Sequence, residues 1–127
     1  MRRADQRRAA VVALYQRDVT RRPVDELVGR DATVFTRELV EGVEEHRAEL
    51  DELIARHAEG WDLDRIAPLE RSILRVALQE LLYRDDVPDE VAIDEAVEAA
   101  KELCGAGAPA FLNGILGAVH RERAASA

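Results

Sequence analysis

The stretch from Trp61 to Leu103 constrains this chain more than any other. Its first half carries Leu69, Ile73, Leu74, Val76, Ala77, Leu78, Leu81 and Leu82, which at helical spacing cover most of a circumference. Polar side chains are squeezed into a stripe of Arg71, Ser72, Arg75 and Gln79, with Glu70 and Glu80 beside it. A helix this apolar cannot face water, so other helices must surround it. An Asp85-Asp86-Val87-Pro88 corner follows, then a second helix. Ile93, Ala96, Val97, Ala100 and Leu103 recur on one of its faces, while Asp94, Glu95, Glu98 and Lys101 point outward. The first helix is the hub on which the rest should pack.

Nothing in the remaining chain reads as strand. Ala, Leu, Glu and Arg dominate, which favours helix, and no alternating Val/Ile/Thr run exists. The expected class is all-α. At 127 residues the chain is one domain by length. Two Phe, two Tyr and one Trp leave the core to Leu, Val, Ile and Ala. The single cysteine, Cys104, has no intrachain partner and fits a reducing compartment. No apolar run approaches the roughly 18 residues of a membrane span. The basic start lacks the apolar core and cleavage site of a signal peptide. A cytoplasmic protein with no membrane contact is expected.

Charge is split along the chain. The net charge is −8, yet residues 1–22 hold seven arginines (2, 3, 7, 8, 17, 21 and 22) against only Asp5 and Asp18. A basic leading segment on an acidic body is the pattern of a polyanion contact, with a solvated basic helix start as the plain alternative. Arginines near a helix N-terminus oppose the macrodipole, which favours a use other than solvation. Between Glu38 and Glu59, eight acids face Arg47 and Arg56. They form either a solvated face or a dock for a basic partner.

In chain order, a first helix over residues 4–18 turns Ala10, Val11 and Leu14 inward and places Tyr15 one turn after Val11. Arg21, Arg22 and Pro23 break it, and a short helix ending at Gly29 follows. Asp31 is a candidate N-cap for the next run, whose buried face is Val34, Phe35, Leu39, Val40 and Val43. The pattern could continue to His57, but Gly42 and Glu44-Glu45-His46 predict two helices instead of one. Gly60 ends that run. Asp64 is a candidate cap for a short turn before Pro68, which suits a first helical turn. The loop 104–109 opens onto a last helix with Phe111, Leu112, Ile115, Leu116 and Val119 on its buried face. That loop is a connector or, with its exposed N–H groups, a phosphate contact.

No catalytic constellation is present. His46 and His57 are eleven residues apart, roughly 16 Å along one helix, and cannot share a metal through it. No Cys/His group has zinc spacing, no Walker motif exists, and Gly105-Ala106-Gly107 is not a dinucleotide fingerprint. Cys104 reads as a small hydrophobe rather than a nucleophile. Neither an enzyme, a metal nor a cofactor is expected.

Four stretches together resemble the NusB family of bacterial transcription antitermination factors. They are the Arg-rich helix ending Ala13-Leu14-Tyr15, residues 61–84, residues 86–103, and PAFLNGILGAV at 109–119. The resemblance implies about seven helices in two packed sub-bundles, N-terminal over about 1–58 and C-terminal over about 61–122, in a single RNA-binding domain. It implies binding of boxA RNA in ribosomal RNA leader transcripts together with NusE, a small-subunit ribosomal protein. Other Nus factors and RNA polymerase would be met indirectly, and a homodimer is known within the family. Carried over by position, Arg2, Arg3, Arg7, Arg8 and Phe111 would contact RNA, and Tyr15 and Glu70 would contact NusE. Asn113-Gly114 matches a family motif and is read as a packing device. The chain departs from the pattern where Ala4-Asp5-Gln6 interrupt the arginines and where the loop before Phe111 is GAGAPA. A helical protein-binding scaffold without RNA selectivity is the alternative.

Overall fold

The computed structural model describes residues 1–126. Seven α-helices and no strand occur among them: α1 (Arg3–Thr20), α2 (Val24–Leu27), α3 (Val34–Glu45), α4 (Arg47–His57), α5 (Pro68–Tyr83), α6 (Asp89–Leu103) and α7 (Ala108–Ser126). A single 3-10 turn, Leu63–Arg65, precedes α5. The hub is α5, which packs against α1, α3, α4, α6 and α7. Helix α4 lies on α5 and α7, while α3 lies on α1 and α5. One continuous apolar core therefore runs through both halves, with α5 common to each.

The surroundings of α5 are tighter than its pattern implies. Ser72, Arg75, Gln79 and Glu80 of the polar stripe are all buried. Buried polar groups need partners, and each has one. Ser72 Oγ donates to the Pro68 carbonyl at 2.9 Å. Gln79 Oε1 accepts from His46 Nδ1 at 3.1 Å. Gln79 lies so close to α3 that a Cβ on Gly42 would stand 2.2 Å from its Nε2. A side chain at 42 would displace the Gln79 amide, and four residues later the chain switches from α3 to α4 around His46.

Helix ends follow local chemistry. α1 stops where Arg21 takes a left-handed conformation, φ 61°, and its N–H donates to the Arg17 carbonyl at 2.9 Å. α3 begins after Thr33, whose hydroxyl accepts from the Thr36 N–H at 3.3 Å. Thr33 is therefore the N-cap, and Asp31 precedes it in a turn. Asp64 likewise lies inside the 3-10 turn, with Asp62 at its N-cap position. Pro68 opens α5 as expected.

Two inward faces are rotated from their apolar patterns. Val34 is 72% exposed, because it occupies the first position of α3, outside the crossing with α1. On α6 the buried residues are Ala92, Ala96, Ala99 and Ala100, while Leu103 is exposed. Small alanines let the α6 backbone approach its neighbours, and the larger Ile93 and Val97 lie at the edge of the contact.

Candidate nucleic-acid interface

The N-terminal arginines do not form one free cationic cluster. Arg7 points inward, and its Nε and Nη2 donate to both Glu80 carboxylate oxygens at 2.8, 3.0 and 2.8 Å. Both side chains are buried, so Arg7 is a structural ion pair and its guanidinium is not presented to phosphate. This corrects its expected place at the surface. The hub stripe is the physical reason: Glu80 is buried on α5 and requires a paired cation.

Around that pair, the Phe35 ring is flanked by three guanidinium groups. Arg3, Arg84 and Arg7 stand 4.3, 4.8 and 5.3 Å from its centroid, within cation–π range. Arg84 donates to Asp86 at 3.1 and 3.2 Å and to Glu38 at 3.0 Å. Arg3 donates to the same Asp86 at 3.1 Å. These donors, Arg84 first, hold the Asp86 carboxyl down to about 2. Arg8 donates to Glu102 at 2.7 Å, and Arg2 lies 3.7 Å from Asp5 at the surface. The cleft between Arg7, Arg8, Glu80 and Glu95 has a volume of about 10 Å³, far below a nucleotide.

Phe111 lies elsewhere, half-buried at the start of α7. Its ring meets Trp61 edge-on, with centroids 6.0 Å apart and planes at 63°. Trp61 is 51% exposed. A cavity of about 420 Å³ opens on one side of the pair, bounded by Arg65, Ile66, Glu70 and residues 105–108. The fold thus joins Glu70 and Phe111, 41 positions apart in sequence, at one site. Trp61 and Arg65 belong to it and carry no signal in the chain's periodicity. The lone Trp is the only hint. Asn113 and Gly114 are exposed, and a Cβ on Gly114 would meet nothing within 4 Å. They are surface residues and not a packing device.

Glu70 stands in the first turn of α5. Burial, and then the Glu70 carboxylate, push the Cys104 thiol up, which keeps it protonated near neutral pH. Tyr15 is half-buried on α1. Half of the eight acids between Glu38 and Glu59 are engaged within the fold. Glu38 pairs with Arg84, Glu44 with Arg17 and Arg47, and Asp51 with Arg75. Glu49 accepts from the Tyr83 hydroxyl, whose ring stacks on His46 at 3.9 Å. Glu41, Glu45, Glu52 and Glu59 remain exposed. No group of three or more potential metal ligands occurs among the described residues, and no helix there is long and apolar enough to cross a membrane.

The order of these elements matches known proteins along nearly the whole chain. A model of the NusB family matches residues 4–121. The chain belongs to the NusB family. The transcription antitermination protein NusB of Geobacillus kaustophilus is 45% identical over 124 residues, covering 94% of this chain and 95% of that protein. NusB of Frankia casuarinae is 65% identical over 79 residues, which span 62% of this chain and 58% of that protein. The structure of T. maritima NusB superposes with a TM-score of 0.89 at 33% identity, covering 96% of this chain and 92% of that one. A crystal structure of the antitermination factors NusB and NusE in complex with double-stranded RNA gives 0.83 at 25% identity, covering 96% and 99%. The all-α NusB architecture, with its hub helix, is therefore the fold of this chain.

Proposed function

We propose that this chain is a transcription antitermination factor that acts without catalysis, as one RNA-binding domain in the cytoplasm. It binds boxA RNA of ribosomal RNA leader transcripts together with NusE, and meets other Nus factors and RNA polymerase through that complex. The observation that carries this reading is the likeness to the NusB of the NusB–NusE–RNA complex over almost the full chain. Arg2, Arg3 and Arg8 supply cationic groups at one end of α1, and Phe111 supplies a ring beside an open cavity. Tyr15 and Glu70 are assigned to NusE. A basic ribosomal protein suits the Glu70 carboxylate, which stands partly exposed in the first turn of α5.

Replacing Glu70 with lysine tests the partner side. Glu70 is not buried, so helix content should be unchanged while NusE affinity falls at least tenfold, the scale of reversing one charge against a complementary surface. The check is calorimetric titration of the variant with NusE beside its circular dichroism spectrum. Wild-type affinity in Glu70→Lys would remove this residue from the interface.

A further inference from the structure

The proposed RNA reading assigns phosphate contacts to the α1 arginines, yet Arg2, Arg3 and Arg8 each stand beside an acidic group. The aromatic pair has different neighbours. Arg65 borders the cavity on one side of it, and Arg121 borders a second cavity, of about 430 Å³, on the other. Neither arginine has a carboxylate within ion-pair distance among the described residues, and both are exposed. Trp61 and Phe111 line both cavities. The second continues along α7 over Ala110, Gly114 and Ala118. At Gly114 nothing within 4 Å would meet a Cβ, so at that position the helix surface is bare and open to solvent. His57 also lines this cavity, and its Nε2, 3.2 Å from Glu122, is buried without a hydrogen-bond partner.

We infer that a single-stranded RNA segment runs through both cavities across the Trp61–Phe111 pair, with a base stacked on Trp61 and backbone phosphates on Arg65 and Arg121. This rests on the proposed RNA-binding function and adds a path that the α1 arginines do not describe. Three features favour RNA as the occupant. A half-exposed tryptophan offers a flat π-face, which single-stranded nucleic acids use without regard to sequence. Two cations free of internal partners flank that face, one on each side. The cavities are each in the size range of ligand sites, and they are open at the surface as a continuous strand requires. Glu59 and Glu70 also line the cavities, and repulsion from their carboxylates would leave phosphates to the arginines.

Trp61 is the only tryptophan, so it reports its own occupancy. Labelled boxA RNA is titrated into the chain with and without NusE, following RNA anisotropy and tryptophan emission together. The path predicts that emission is quenched along the same isotherm as anisotropy. Trp61→Ala should weaken RNA binding about tenfold, the scale of one base stack, and Trp61→Phe should restore most of it. Arg65→Glu and Arg121→Glu should each lower the slope of log affinity against log salt by about 0.7, and Arg121→Lys should leave it unchanged. Normal anisotropy with unquenched emission and wild-type slopes in both arginine variants would overturn the path while leaving RNA binding in place. If the wild-type chain binds no RNA even with NusE, the RNA-binding reading falls, and the path with it.

Discussion

Glu80→Ala is expected to cost about 3–5 kcal/mol of folding stability, the loss seen when one partner of a buried ion pair is removed. Glu80 is 1% exposed and Arg7 is 7% exposed, so the remaining guanidinium would stay charged and buried without its partner. Arg7→Ala strands Glu80 in the same way. The double replacement Arg7→Met with Glu80→Leu removes both charges and fills the space with apolar atoms, and it should recover most of the loss. Denaturant unfolding of the three variants checks this, with stability taken from the midpoints at unchanged slope. A loss below about 1 kcal/mol in Glu80→Ala, as for an exposed pair, would contradict the buried arrangement and return Arg7 to the surface as a possible phosphate contact.

Arg75→Ala carries the second large effect. Arg75 on α5 donates to Asp51 of α4 at 2.7 and 3.2 Å and to Asp18 of α1 at 2.6 Å. One buried guanidinium on the hub therefore ties two helices, α1 and α4, to it. Its removal leaves Asp51 without that partner, while Asp18 keeps Arg47 at 3.2 Å. The expected loss is about 3 kcal/mol, at the lower end of the range for a broken buried pair. Arg75→Lys should not restore it, because an ammonium cannot reproduce the forked geometry that reaches two carboxylates at once. Thermal melts of both variants decide the point: equal stability of the lysine variant and wild type would mean that charge alone, and not the fork, holds the crossing.

These two pairs mark the limit of what periodicity reveals. The hub itself is legible because eight apolar residues cover nearly its whole circumference, and the Gly42 to His46 break is legible because glycine and a charged run interrupt a long pattern. The Pro68 start and the Asp85–Pro88 corner follow from proline geometry. Arg7 and Glu80 are not legible as partners, since 73 residues separate them and each alone resembles a solvated charge. The same limit applies to Asp31. It is a good capping residue by type, but Thr33 takes the role because its hydroxyl reaches the Thr36 N–H.

The candidate site divides likewise. Phe111 and Glu70 are singled out by family resemblance, but their common cavity exists only once the loop 104–107 folds back beside the turn preceding α5. Trp61 and Arg65 enter through that closure, and Arg121 through the adjoining cavity along α7. Helical periodicity describes inward faces, whereas this surface is assembled from helix ends and connectors. The arginines of α1 show the reverse. Their charge is conspicuous in the sequence, and folding supplies Asp5, Asp86, Glu80 and Glu102 as neighbours for four of them.

The central claim is sequence-selective RNA binding assisted by NusE. Its most direct measurement is an anisotropy titration of boxA RNA and a scrambled RNA of equal length at one fixed salt concentration, with and without NusE. The account predicts tighter binding to boxA than to the scrambled strand, and a further gain for boxA alone when NusE is present. Equal affinity for the two RNAs in the presence of NusE would contradict it and leave a helical scaffold that binds proteins only.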